Sequence, residues 1–306
     1  MTNFAYFEGN IVPIDQAKVS ITCNTLHYGT GCFGGLRAYW NEERQTLYAF
    51  RLADHYKRFL NSAKLLRCRL EYTVDDLIDI TLRLLTRENW GQNCYIRPIA
   101  YKDDGVYRFW LHEATDRVAI FTFPVGTYIP VDKGANVCVS SWRRVDDTAM
   151  PARGKVNGTY VNSALIKSDA MLSGFDDAIV LNQDGHVAEG SAANFMLVRD
   201  GVLITPPITS NILEGITRRT ILELASDVLG VTVVEREIDR SELYLCDEAF
   251  YCGTGAQVTP ISAIDHRPVG DGGVGYLTNQ IRDLYFRVLV GQEPAYMHWL
   301  TPVPAE

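Results

Sequence analysis

No CxxC pair occurs in this chain of 306 residues, and its seven cysteines (23, 32, 68, 94, 138, 246 and 252) are scattered and odd in number. That pattern excludes a zinc ribbon, argues against a disulfide framework and fits a reducing compartment. The six histidines do not cluster either, so no metal centre is expected. No basic block interrupts a formal net charge of −8, which argues against a nucleic-acid surface and for solubility. The first residues, Met-Thr-Asn-Phe-Ala-Tyr-Phe-Glu, lack the basic start and long apolar run of a signal peptide. No apolar stretch approaches membrane-spanning length. These absences make the expected location the cytoplasm. No GxxxxGK[ST] occurs and no GxGxxG follows a strand, which sets aside Walker-type and dinucleotide sites. Internal repeats and low-complexity segments are missing too.

What remains is ordinary globular composition, 47% hydrophobic and 22% charged, in a chain long enough for two domains. Apolar residues at Tyr56, Phe59, Leu60, Ala63 and Leu66 make a helical stripe over 54–66 with Arg58 near its edge. Thr73-Val74-Asp75-Asp76 is a capping signal for a second helix carrying Leu77, Ile78, Ile80, Leu84 and Leu85. Strands are expected at 94–101 and 118–123. The stretch 125–134 is bracketed by proline and glycine and reads as the linker. The expected domains are therefore 1–124, a small α/β domain, and 135–306, a larger one.

In the second part a strand at 136–142 leads through an irregular loop to Lys155, and Asn157 or Thr159 caps a helix that ends near Ser173-Gly174. Hairpins are expected around Gln183-Asp184-Gly185 and Arg199-Asp200-Gly201. A helix starts at Glu214-Gly215-Ile216-Thr217 with Ile221, Leu224, Ala225 and Val228 on one face. Strands at 231–235 and 248–252 flank a short helix near 241–245. Helices and strands mix without strict alternation, so the fold class is α+β rather than doubly wound.

Lys155 sits between small residues in Arg153-Gly154-Lys155-Val156-Asn157-Gly158, followed at short range by a hairpin bearing Glu189. Small neighbours let a planar group approach the backbone. A lysine so placed, with a carboxylate on a neighbouring strand, is what a pyridoxal phosphate (PLP) enzyme needs. The amine forms a Schiff base, and the acid keeps the ring nitrogen protonated so that the ring withdraws electrons. A free lysine is neutral in roughly one molecule in a thousand at neutral pH, so a usable base requires about 4 kcal/mol from burial and imine formation. Taken alone, a lysine between glycines is usually a solvated turn residue.

Two segments suit an anion. Gly215-Ile216-Thr217 begins a helix, where free N–H groups and the positive end of the dipole face outward. Cys252-Gly253-Thr254-Gly255-Ala256 leaves a strand with a hydroxyl among glycines. Arg58 could add a guanidinium. Singly these are a helix start, a turn and a solvated arginine; together they make a phosphate cup.

Thr25-Leu26-His27-Tyr28-Gly29-Thr30-Gly31-Cys32-Phe33-Gly34-Gly35-Leu36-Arg37 resembles the early segment of fold-type IV PLP aminotransferases. The segments 50–59, 189–195, 215–218 and 253–261 match that family in order, from about Phe7 to Tyr285. Tyr95-Ile96-Arg97-Pro98 resembles the branched-chain amino acid aminotransferases in particular. The resemblance implies a two-domain fold with a C-terminal pseudo-barrel and PLP held as an aldimine on Lys155, which then moves the proton at the substrate α carbon. It implies Glu189 at the pyridine nitrogen, Tyr160 at the phenolic oxygen, Leu213 against the ring and Asn194 among the cofactor contacts. Arg58, Ile216, Thr217 and Thr254 would hold the phosphate. The Thr254 and Gly255 amides would meet the substrate carboxylate, and Tyr28, Phe33, Tyr95, Arg97 and Tyr128 would line the side-chain pocket. Aromatic walls there suit leucine, isoleucine or valine, and an arginine fork suits the distal carboxylate of 2-oxoglutarate or glutamate.

The implied activity is reversible transamination of branched-chain L-amino acids with 2-oxoglutarate. The alternatives within the same fold are a D-amino acid or (R)-selective amine aminotransferase. A homodimer is implied, because the family completes each site with a neighbouring subunit's loop. Three positions depart from the pattern: Gly34 stands where an acid is usual, Gly154 where alanine is frequent and Gln257 where an acid is frequent. The first removes a possible hydrogen-bond partner for nearby tyrosines or Arg97 and bears on side-chain specificity.

Overall fold

Thr73 accepts a hydrogen bond from the backbone N–H of Asp76, whose carboxylate in turn accepts from the backbone N–H of Thr73. This capping box starts the helix Val74–Glu88, whose buried stripe of Leu77, Ile80, Leu84 and Leu85 follows the helical period. The computed structural model describes residues 3–103, 109–126 and 134–305. By contacts the chain divides into two units. The first holds Met1–Gly126, Gly154–Gly158 and Arg287–Glu306; the second holds Thr127–Arg153 and Thr159–Phe286.

The first unit is built on an eight-stranded sheet. Its elements are β1 (Phe4–Phe7), β2 (Asn10–Pro13), α1 (Asn24–Tyr28), β3 (Cys32–Phe33), β4 (Leu36–Asn41), β5 (Thr46–Phe50), α2 (Leu52–Leu65), α3 (Val74–Glu88), β6 (Cys94–Lys102) and β7 (Asp116–Pro124). A late strand, Leu300–Pro302, pairs with β5, and the order runs from it through β5, β4, β6, β7 and β1 to β2. Along β6 burial alternates. Cys94, Ile96 and Ala100 are fully buried, while Tyr95, Arg97 and Ile99 lie on a half-buried face. That second face carries the residues of interest.

The expected domain split, continuous in sequence, differs from these units in two later segments. Val156 forms an antiparallel bridge with Cys32, and Leu300 pairs with Phe50. Both segments thereby extend the first sheet, a long-range pairing that composition does not encode.

The second unit is a nine-stranded mixed sheet. Its elements are β8 (Ala135–Arg143), α4 (Tyr160–Leu172), β9 (Asp177–Leu181), β10 (Val187–Gly190), β11 (Asn194–Arg199), β12 (Val202–Thr205), α5 (Ile216–Asp227), β13 (Val233–Glu235), β14 (Glu248–Gly253), β15 (Gln257–Ile264), β16 (Arg267–Pro268) and α6 (Tyr276–Leu289), the last running on into the first unit at Arg287. The pairs β8–β9, β15–β8 and β12–β13 are parallel. Four strands separate β10 from β11 in the sheet order, yet the two lie in contact, so the sheet curls into a half-barrel. Its core joins Val137, Ile179, Leu181, Phe195, Leu197, Tyr251 and Ile261.

Three local expectations shift. The helix near 241–245 is a 3-10 turn at Arg240–Tyr244. Val228 follows the end of α5 and is exposed rather than on its buried face. Thr159 is the N-cap of α4 without a side-chain capping bond.

Candidate active site

Lys155 is held by its backbone. Its N–H donates to Ser62 Oγ at 3.1 Å, and Ser62 Oγ donates onward to the carbonyl of Arg58 at 2.9 Å. Its carbonyl accepts from Phe33 N–H at 3.0 Å, while Asn157 N–H and Gly158 N–H donate to the carbonyls of Gly31 and Gly29. The lysine strand thus lies along the turn between α1 and β3. Gly29 has φ +64°, and a Cβ there would fall 2.9 Å from Gly158 Cα. Glycine at position 29 permits that approach. Ser62, 1% exposed on α2 one turn beyond Arg58, is a positioning residue that sequence reading missed, because a buried serine on a helix carries no motif.

The side chains on this side gather around one ring. The Lys155 ammonium lies 5.1 Å and the Arg97 guanidinium carbon 4.5 Å from the Phe33 centroid. Arg97 also lies 5.1 Å from the Tyr95 ring and donates weakly to its hydroxyl at 3.4 Å. Tyr95 stacks on Phe123 at 5.2 Å. A cation over an aromatic face is favourable, but no carboxylate pairs with Arg97 among the described residues. Tyr28 ends α1 and is exposed, and Arg58 is half-buried on α2. Tyr128 lies outside the described residues.

Gly34 corrects one expectation. A Cβ there would fall 2.5 Å from Pro98 Cγ, and Pro98 alternates with Arg97 along β6. With this backbone an acid at position 34 points away from the face of Arg97, so the glycine does not remove a partner from that arginine.

The second unit gathers the carboxylate and the anion-binding groups. Glu189, 4% exposed on β10, pairs through Oε1 with Arg144 Nη2 at 2.7 Å. Its Oε2 accepts from Asn194 Nδ2 at 2.9 Å and from Leu213 N–H at 3.3 Å. Arg144 is itself oriented by its Nε donating to the Asn211 carbonyl. Arg144 supplies the cation within the protein, so burial of Glu189 by itself requires no ligand.

Gly215 is the N-cap of α5, followed by the buried Ile216 and Thr217. Thr217 is 3% exposed and lies in the first turn of α5. A hydroxyl beside the free amides of a helix start is a fit for a phosphate group. Thr254 and Gly255 sit half-buried in the turn between β14 and β15, and a Cβ at Gly255 would meet nothing within 4 Å. Tyr160 is the first residue of α4 and half-buried. Within the second unit, a buried acid, a helix-start hydroxyl and an open turn are groups of the kind PLP binds.

Comparison with known proteins follows the same line. Residues 31–264 match the amino-transferase class IV family. A probable branched-chain-amino-acid aminotransferase of Aquifex aeolicus is 46% identical over 301 residues, 98% of this chain and 97% of that one. The crystal structure of a branched-chain aminotransferase from Thermoproteus uzoniensis with norvaline superposes with TM-score 0.95 at 41% identity, covering 99% of this chain and 100% of the other. That of the Thermobaculum terrenum enzyme in its PLP form gives TM-score 0.95 at 39% identity, covering 99% of each. With the expected motifs, the half-barrel and a match across most of its length, the chain belongs to the class IV amino-transferase family.

Proposed function

We propose that this chain is a branched-chain amino acid aminotransferase that uses PLP to exchange the amino group of L-leucine, L-isoleucine or L-valine reversibly with 2-oxoglutarate. The observation that carries the reading is the single ring of Phe33, against which lie both the Lys155 amine and an Arg97 guanidinium without a carboxylate partner among the described residues. An apolar face beside an available cation suits a pocket that must take a branched alkyl chain in one half-reaction and a distal carboxylate in the other.

When bound, PLP supplies the electron sink that stabilises negative charge at the substrate α carbon. The residues do the rest. Lys155 Nζ takes and returns the proton at that carbon. Glu189, its charge balanced by Arg144 and its second oxygen fixed by Asn194 and Leu213, accepts the ring N–H. Tyr160 would direct its hydroxyl to the cofactor's phenolic oxygen, and Leu213 would pack on its ring. Ile216, Thr217, Thr254 and Arg58 would receive the phosphate, and the amides of Thr254 and Gly255 the substrate carboxylate. Tyr28 and Tyr95 would complete the pocket wall, a role that for Tyr128 rests on the family resemblance alone.

A homodimer is supported by the family resemblance and by the exposed apolar side chains of Ile21, Leu26 and Tyr28. A cytoplasmic location is supported by seven free cysteines; among the described residues no helix is long and apolar enough to cross a membrane. D-amino acid or (R)-amine transamination is not favoured by the relatives.

The test is a half-reaction. Purified protein loaded with PLP is mixed with L-leucine, D-alanine or (R)-1-phenylethylamine while the cofactor absorbance is followed. Rapid loss with L-leucine alone supports the proposal, and loss mainly with D-alanine or the amine sinks it.

A further inference from the structure

Asn211 stands with φ +55° in the loop between β12 and α5. A left-handed backbone strains most residues with a Cβ, and asparagine tolerates it best because its short amide usually bonds to its own backbone. Asn211 directs its amide to distant groups instead. Its Oδ1 accepts from the backbone N–H of Asp147 at 3.2 Å, and its Nδ2 donates to Asn182 Oδ1 at 3.1 Å. Asn182, 5% exposed, answers one residue earlier: its Nδ2 donates to the carbonyl of Ser210 at 2.9 Å.

Backbone groups settle which way both amides point. The Asp147 N–H requires an oxygen at one end of the Asn211 amide, and the Ser210 carbonyl requires an N–H from Asn182. The contact between the two side chains is therefore a donor meeting an acceptor. Asn182 directly follows β9, and β9 pairs with the strand of the acid, Val180 opposite Glu189. The clasp thus ties residues 210–211 to the strands that carry Glu189.

The same loop places both sides of that carboxylate. The Asn211 carbonyl accepts from Arg144 Nε at 3.0 Å, and Arg144 N–H donates to the carbonyl of Leu181, beside Asn182. From that frame Arg144 Nη2 reaches Glu189 Oε1. Two residues beyond Asn211, the Leu213 N–H donates to Glu189 Oε2, and the Leu213 carbonyl accepts from Asn194 Nδ2, which also donates to Oε2. Both oxygens of Glu189 meet groups that residues 211–213 position.

We propose that Asn211, clasped to Asn182, is a positioning residue for the ring-nitrogen acid. It sets where Arg144 and Leu213 stand, and through them where Glu189 meets the pyridine nitrogen of PLP. The inference rests on the proposed PLP-dependent activity, and it gives a role to two asparagines that no motif marks. A carboxylate drawn away from the ring nitrogen leaves that nitrogen less protonated and the cofactor less tightly held.

The test uses Asn211→Gly, which keeps the left-handed backbone and removes the amide, together with Asn182→Ala and the double variant. PLP is titrated into the cofactor-free chain, the absorbance of the bound cofactor is followed against pH, and the cofactor-free chain is melted. Each single variant is expected to raise the PLP Kd by about tenfold, the equivalent of one or two net hydrogen bonds. The pH midpoint of the absorbance should rise, because a ring without its proton no longer repels a second positive charge. The double variant should fall short of the product of the singles, since the two side chains act as one clasp. Parent-like Kd and midpoint overturn the inference even where the melting point drops, which is the mark of a purely structural asparagine. Losses that multiply in full overturn it as well. If Asn211→Gly does not fold, Asn182→Ala carries the same expectation alone. A parent chain that binds no PLP removes the proposed function itself, so the two failures are told apart.

Discussion

Arg144 Nη2 and Glu189 Oε1 lie 2.7 Å apart with both side chains buried. The pair fixes the position of the acid and balances its charge, and neither partner is tolerable alone. Arg144→Met leaves the Glu189 carboxylate buried without its cation, a change that costs about 3–5 kcal/mol in typical buried pairs. A fall of that size in urea-unfolding stability, together with weaker PLP retention on dialysis, is the expected result. A variant as stable as the parent would show that the pair does not matter.

Replacing Lys155 by alanine removes the only group assigned to the α-carbon proton. Turnover with L-leucine should fall by about 10²–10⁴-fold or more. The backbone bonds to Ser62, Phe33 and Gly31 need no side chain at position 155, so the thermal midpoint should move little. Stopped-flow turnover beside a melting curve separates lost chemistry from lost fold.

Ser62→Ala is the complementary change. It leaves the lysine intact and strands the backbone N–H that Ser62 accepts, at a cost of about 1–3 kcal/mol if that group stays dry. Stability should drop by that order, with a smaller loss of kcat than Lys155→Ala causes. Unaltered stability would mean that water replaces the hydroxyl.

Gly29→Ala combines a positive φ with a contact against Gly158 Cα. The left-handed backbone alone costs roughly 1–2 kcal/mol for a residue with a Cβ, and relief of the contact must displace the lysine strand. The variant should lose both stability and rate, measured by thermal melting and by the L-leucine half-reaction. Loss of stability with full activity would show that the strand is not displaced.

His186 offers a prediction in pH. The Asp184 carboxylate, 3.2 Å from its Nδ1, raises its pKa above the ordinary 6.5, helped by the charges of Glu237 and Asp239. A raised folded value means the charged ring stabilises the fold below the unfolded pKa of about 6.5, and that contribution disappears as pH rises through the folded value. His186→Gln should therefore melt earlier than the parent at pH 5.5 and alongside it at pH 9. The reverse ordering would contradict the assignment.

Elements with local signals were legible in the sequence. The Thr73 capping box, the apolar stripe of 54–66 and the turn Gln183-Asp184-Gly185 each lie within a few residues, and each formed close to its expected bounds. Others were passed over although a signal existed. In α6, Ile281, Leu284, Tyr285 and Val288 are buried at helical spacing. In β15 the Pro260 that interrupts the strand pattern weakened it. What no local rule supplies is pairing across the chain. Arg144 with Glu189, Ser62 with Lys155 and Asn182 with Asn211 are separated by tens of residues, and only the folded chain reveals them. Gly34 shows the opposite hazard: a departure from a family pattern looked like a missing partner for Arg97, and backbone direction settled where a side chain there would go.

The first unit is assembled from three stretches of sequence, the last of them beginning at Arg287. Its sheet therefore lacks an edge strand, Leu300–Pro302, until nearly the whole chain has been made. During synthesis the amino-terminal stretch must wait through all of the second unit with the β5 edge uncovered, and uncovered strand edges are where chains pair wrongly. Residues 1–126 made alone should behave as a fragment rather than a domain. Lys155 reaches its place only when a short segment from the middle of the chain has joined strands laid down more than a hundred residues earlier.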